Sequence, residues 1–138
     1  MKTVTILFLS VFTTFAFAQK TTTDKLQYYS ITQDACIKKK GYRMLLKEIV
    51  SDSRCPEGVT CVWAGEIQVV VSLYKDRKFV EIQTLTVSSK HFQENMKWFA
   101  KYLPSAKRNI KSVAVLPYPK EGTPVNPKDY YIKIGYIK

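Results

Sequence analysis

Residues 52–65 read Asp52-Ser53-Arg54-Cys55-Pro56-Glu57-Gly58-Val59-Thr60-Cys61-Val62-Trp63-Ala64-Gly65. Apolar, strand-like runs flank the stretch, Met44 to Val50 before it and Ile67 to Leu73 after it. It therefore reads as a stapled connection between two strands. Cys55 and Cys61 have Pro56 and Gly58 between them to bend the chain. In an oxidising compartment a bridge between them closes a short loop, worth about 2 kcal/mol by chain entropy. A zinc half-site wants cysteine pairs two to four residues apart and two further ligands. Only Cys36 and His91 are left to complete one, at no regular spacing. Trp63 and Val62 are expected to pack beside the bridge, and Gly65 to let the backbone turn into the next strand.

The segments Asp52-Ser53-Arg54-Cys55-Pro56 and Cys61-Val62-Trp63-Ala64-Gly65-Glu66 resemble a motif of small exported bacterial all-β domains, many of them lipoproteins. A looser likeness extends to Tyr130-Tyr131 after the Leu116-Pro117-Tyr118-Pro119 turn, so the resemblance covers most of residues 40–138. It implies fold and export, and no particular reaction. The chain departs from the lipoprotein members in having no cysteine at the expected cleavage point.

Residues 1–18 read as a signal peptide: Lys2 as the basic start, an uncharged apolar run from Val4 to Phe17, then Ala16-Phe17-Ala18 before Gln19. The run is short and threonine-rich for a membrane span of about 20 residues. Gln19 in place of a cysteine argues against lipidation there, so a soluble chain in a periplasm or outside the cell is expected. Cleavage takes 18 of the 138 residues, leaving enough for one domain and lowering the formal charge from +11 to +10 through Lys2. A basic exported chain is drawn to anionic surfaces such as envelope polymers, lipid headgroups or an acidic protein. Export makes intracellular nucleic acid an unsuitable partner. Cys36, the third cysteine, is left as a free thiol, an intermolecular partner or a competitor for the bridge.

Residues 19–25 are polar and read as a flexible leader, with one β-rich domain from 26 to 138. Leu26 to Ile31 reads as a first strand. Tyr42 to Val50 reads as a second although its apolar residues do not cleanly alternate. Ile67, Val69, Val71 and Leu73 make the clearest strand. The polar Lys75–Lys78 turn leads back through Phe79–Val87 as a hairpin, with no Asn-Gly or Asp-Gly to mark its type. Phe92, Met96, Phe99 and Leu103 fall at helical spacing, with Lys90, Lys97 and Lys101 opposite, so Ser88 to Leu103 reads as one amphipathic helix capped by Ser88 or Ser89. Asn109 to Leu116 and Tyr130 to Ile137 are further strands, separated by a proline-rich loop. The sum is an antiparallel β-sandwich or small barrel of six to seven strands with one inserted helix.

Chemistry is sparse. His91 is the sole histidine and reads as a surface residue, and the nucleophile-elbow, phosphate-loop and dinucleotide patterns are absent. No metal site and no cofactor is expected. Asp52, Glu57 and Glu66 could supply the carboxylate pair of a hydrolase, but Asp52 is better explained as a turn former and Arg54 as its ion-pair partner or that of Glu66. Tyrosines and lysines interleave in a way that suits stacking on sugars, or cross-strand pairing in a β core. The expectation is a non-enzymatic exported binding or envelope-associated domain. Its loop surface is Asp52, Arg54, Pro56, Glu57, Trp63 and Glu66, and Lys90, Lys97 and Lys101 form a basic helix face. A periplasmic inhibitor of a hydrolase is the sharper variant, because a bridged loop loses little entropy on docking.

Overall fold

A computed structural model describes residues 25–34 and 40–138. The expected signal peptide, residues 19–24 of the leader and Cys36 lie outside the described residues. The elements are β1 (Gln27–Ile31), β2 (Tyr42–Asp52), β3 (Ile67–Lys75), β4 (Lys78–Val87), α1 (Phe92–Tyr102), β5 (Ile110–Leu116) and β6 (Tyr131–Tyr136). They form two antiparallel three-stranded sheets, β2-β3-β4 and β1-β6-β5, laid together as a sandwich rather than closed into a barrel.

The alternation in β3 decides the first sheet. Ile67, Val69, Val71 and Leu73 are all fully buried, and each such side chain contributes about 1.5–3 kcal/mol on leaving water. β3 and β4 meet through Asp76 and Arg77, both at positive φ (50° and 73°). A two-residue turn of that hand matches the twist of the strands it joins. Asp76 is held there by accepting a hydrogen bond from the Gly41 N–H at 2.8 Å.

The uneven apolar spacing of β2 has a physical cause. Its register against β3 slips between Leu46 and Glu48 and again between Ile49 and Ser51. Each slip inserts one extra residue, and a bulge turns the following side chains to the other face. Met44, Leu46, Ile49 and Asp52 therefore sit opposite Leu73, Val71, Val69 and Ile67. All four share the core face, and the last of them is a carboxylate.

In the second sheet the central strand β6 turns Ile132, Ile134 and Tyr136 inward, with Tyr130 buried just before it. Helix α1 covers one end of the core. Phe99 is fully buried, Asn95 Nδ2 donates to the Thr86 carbonyl at 2.8 Å, and the Tyr102 hydroxyl donates to Glu81 at 2.7 Å. The sequence predicts a helix capped by Ser88 or Ser89, but its first residue is Phe92 and neither serine caps it. Ser88 Oγ is instead within 3.0 Å of His91 Nδ1. Lys90 consequently falls in the turn before the helix and leaves the basic face to Lys97 and Lys101, the latter with its ammonium 4.9 Å from the Tyr102 ring centre. No helix among the described residues is long and apolar enough to cross a membrane.

Ile134 is fully buried on the central strand of its sheet. Ile134→Ala is expected to cost about 2–5 kcal/mol of unfolding free energy through lost transfer and a residual cavity. Urea denaturation checks this, and a loss below about 1 kcal/mol would show that β6 is not part of the core.

Candidate functional site

Both long connections, residues 53–66 and 117–130, lie at the same end of the sandwich, since β2 and β5 both finish there. One side chain ties them. Arg54 is the one charged residue buried among the described residues, at 8% exposure. Its Nε donates to Asp52 Oδ1 at 2.8 Å and one terminal nitrogen to Asp52 Oδ2 at 2.6 Å, a two-pronged ion pair. The same nitrogen donates to the Pro117 carbonyl at 3.1 Å, and the other donates to the carbonyl of Val115. The guanidinium also stands 4.5 Å from the centre of the Tyr118 ring. A planar fork with five donors suits such an arrangement, and a lysine would not fill it.

Asp52 is equally occupied. Beyond the two bonds from the guanidinium it accepts from the Arg54 N–H at 3.2 Å and from the Tyr130 hydroxyl at 3.1 Å. Burial alone pushes its carboxyl up, but the hydrogen bonds and charge of Arg54 and the bond from Tyr130 outweigh that and hold it below the usual carboxylate value. The Tyr130 hydroxyl is raised above its ordinary value, first by burial, then by its hydrogen bond to Asp52 and by the charge there. It remains a donor.

The loop hangs from this anchor. Ser53 N–H donates to the Glu66 carbonyl and Cys55 N–H to the Ala64 carbonyl, both at 2.9 Å, so the strand pair continues as a narrow neck. Gly65 sits in that neck at φ +71°, and a Cβ there would run into the Ser53 carbonyl. Beyond the neck Cys55 and Cys61 form a disulfide with Cα atoms 5.9 Å apart. Glu57 N–H donates to the Pro119 carbonyl at 2.9 Å, and Glu121 N–H to the Glu57 carbonyl at 3.4 Å, which fastens the loop to the proline-rich one.

What this base presents is apolar. Every residue from Glu57 to Ala64 is exposed, and among them Val59, Val62 and Trp63 are 40%, 107% and 77% exposed. The sequence predicts that Val62 and Trp63 pack beside the bridge. They stand in solvent, because the short ring closed by Cys55 and Cys61 has no interior to receive them.

The expected loop surface thus divides in two. Pro56, Glu57, Trp63 and Glu66 belong to the accessible loop and its neck, whereas Arg54 is buried and Asp52 nearly so, holding the loop from beneath. Of the three carboxylates that could supply a hydrolase pair, Asp52 is saturated by donors, Glu57 is exposed on the loop and Glu66 lies in its neck. No group of three or more histidine, cysteine, aspartate or glutamate side chains converges as a metal site among the described residues. Val59, and Tyr118 and Tyr130 from the segments of the looser likeness, carry parts of the site to which the sequence assigned no role. Beside the loop, an apolar groove of about 520 Å³ runs between the end of β4 and β5, with Arg54, Lys111 and Tyr118 among its walls. A smaller recess of about 300 Å³ lies on the other side of Ala64 and Gly65, bordered by Trp63 and Lys90.

No protein-family model, curated protein or solved structure matches the chain.

Asp52→Asn leaves Arg54 buried without its counter-charge and is expected to cost about 3 kcal/mol at neutral pH. Since the folded carboxyl titrates below its unfolded value of about 3.9, its contribution is complete above that value and lost as pH falls through the folded one. Denaturation at a series of pH values should therefore show wild type and variant converging below about pH 4. An equal gap at pH 3 and pH 7 would contradict the pairing.

Proposed function

We propose that this protein is a non-enzymatic exported binding module whose recognition element is the bridged loop, with Trp63 as its anchor. One observation carries the reading: three apolar side chains stand in water on a loop that is closed by a disulfide and pinned by a buried ion pair. Exposing a tryptophan and a valine on a flexible segment has little consequence. Exposing them on a pre-ordered one lowers the entropy lost on binding, and tryptophan is the side chain most enriched among residues that dominate interface energies. The formal charge of +10 that remains without residues 1–18 suits a partner whose surface around the tryptophan pocket is acidic, since complementary charge speeds encounter.

An inhibitor of an envelope hydrolase is the second reading, favoured by the eight consecutive exposed residues from Glu57 to Ala64 on so narrow a neck. A small closed loop of that kind is shaped to enter a cleft. Association with an anionic polymer through Lys97 and Lys101 uses a different surface and is separable by salt.

The test is recovery of partners from an envelope extract by the oxidised protein and by Trp63→Ala, at low and high salt. A protein partner held at high salt by the wild type, and at least about thirtyfold more weakly by Trp63→Ala, is the expected result. Inhibition of a hydrolase by the wild type and not by the variant would select the inhibitor form. Equal recovery by both proteins, or only salt-sensitive recovery of polymers, would overturn the loop as the recognition element.

A further inference from the structure

The groove beside the loop has a wall that is not a side-chain surface. β5 pairs with β6 alone, so its other edge is open, and residues 111–115 border the groove. The direction of its backbone groups follows from two facts. Val115 turns its carbonyl away from β6 to meet Arg54. Backbone groups alternate in direction along an antiparallel strand, so Val113, two residues earlier, also turns its N–H and C=O into the groove. The Ile137 N–H donates to the Asn109 carbonyl at 3.0 Å, so by the same alternation Gly135 and Lys133 turn their backbone groups to β5, and Ile134, opposite both Val113 and Tyr29, turns its own to β1.

An open edge is a template for another strand, and proteins usually blunt it. Here the blunting is confined to the ends. Arg54 occupies the carbonyl of Val115, and a register slip between Ile110 and Ser112 interrupts the ladder at Lys111. Between these stops the edge remains free around Val113, facing an apolar space of about 520 Å³. A long strand cannot add there, and a short one can. Charge selects further: with Arg54 neutralised by Asp52, Lys111 is the one uncompensated charge among the groove's walls, and no carboxylate lines it.

We propose that this groove takes a short extended peptide segment carrying acidic side chains, which adds to β5 as a fourth strand through the N–H and C=O of Val113. Lys111 draws its carboxylates while its apolar side chains lie between Val113 and Phe92. This goes beyond the loop reading and stands on a different surface. Affinity from main-chain bonds and selectivity from alternate side chains is the general pattern of strand addition.

The experiment uses the whole oxidised protein and four probes: a labelled hexapeptide of alternating valine and glutamate, its form N-methylated at alternate residues, its form with lysine for glutamate, and dodecanoate. Fluorescence anisotropy and amide hydrogen exchange are read together. The expected result is binding of the valine–glutamate peptide with at least about tenfold slower exchange at the Val113 amide. N-methylation in the strand-facing register should weaken binding at least about fivefold, the loss of about one hydrogen bond. Lysine for glutamate in the peptide, or Lys111→Glu in the protein, should weaken it as well. No binding at millimolar peptide, unchanged Val113 exchange at saturation, or equal affinity of parent and N-methylated peptides would overturn the proposal. So would protection of Val113 by dodecanoate alone, which would make the groove an acyl site, or by self-association without peptide, which would make its occupant a second copy.

Discussion

A guanidinium has been taken out of water at the seam between two sheets, and one whole end of this molecule is arranged around it. Arg54 uses both faces of its chemistry: its fork meets the Asp52 carboxylate and two β5-side carbonyls, and its flat face meets Tyr118. Removing an ion from water costs several kcal/mol, which only close pairing and full use of its donors offset. A pair of this kind is weak evidence for net stability. What it does fix is a contact geometry, since the fork holds the Asp52 carboxylate and the Val115 and Pro117 carbonyls at one point.

From that constraint the rest of the end follows in order. Two bulges in β2 turn Ile49 onto the core face and set Asp52 opposite Ile67, and loss of either one alone would turn the carboxylate to the other face. With Asp52 and Arg54 in place, the neck from Ser53 to Gly65 is fixed, the disulfide closes beyond it, and the main chain at Glu57 clips onto the proline-rich loop. The bridge limits what the loop can do, and the ion pair limits where it can point. Val59, Val62 and Trp63 are thereby held in water in one arrangement, and the free stretch of β5 is left open next to them, its end stopped by the same arginine.

How much of this was legible depended on whether the cause was local. The strict alternation of β3 and β6 announces two buried faces, and the antiparallel sandwich with one helix follows. The bridge between Cys55 and Cys61 was readable from a turn-rich spacing, and the bond from Arg54 N–H to Asp52 from the Asp-Ser-Arg order. Long-range partners were not readable. Nothing near Tyr130 or Val115 in the chain signals that they lie against residues 52 and 54, more than sixty positions away. The exposure of Trp63 is hidden in the sequence for a related reason: hydrophobicity argues for burial, and only the three-dimensional ring shows that there is no interior to enter. The start of α1 shifted because Ser88 spends its hydroxyl on His91 instead of a helix N–H.

Arg54 makes the bridged loop part of the folded core. Native-state hydrogen exchange of the Ser53, Cys55 and Glu57 amides, whose bonds run to Glu66, Ala64 and Pro119, tests it most directly against Val69 and Val71 in β3. In the wild type the loop amides should exchange nearly as slowly as those of β3. In Arg54→Lys they should exchange at least about tenfold faster while the β3 amides lose far less. Fast exchange of the loop amides in the wild type, or unchanged protection in Arg54→Lys, would contradict the account.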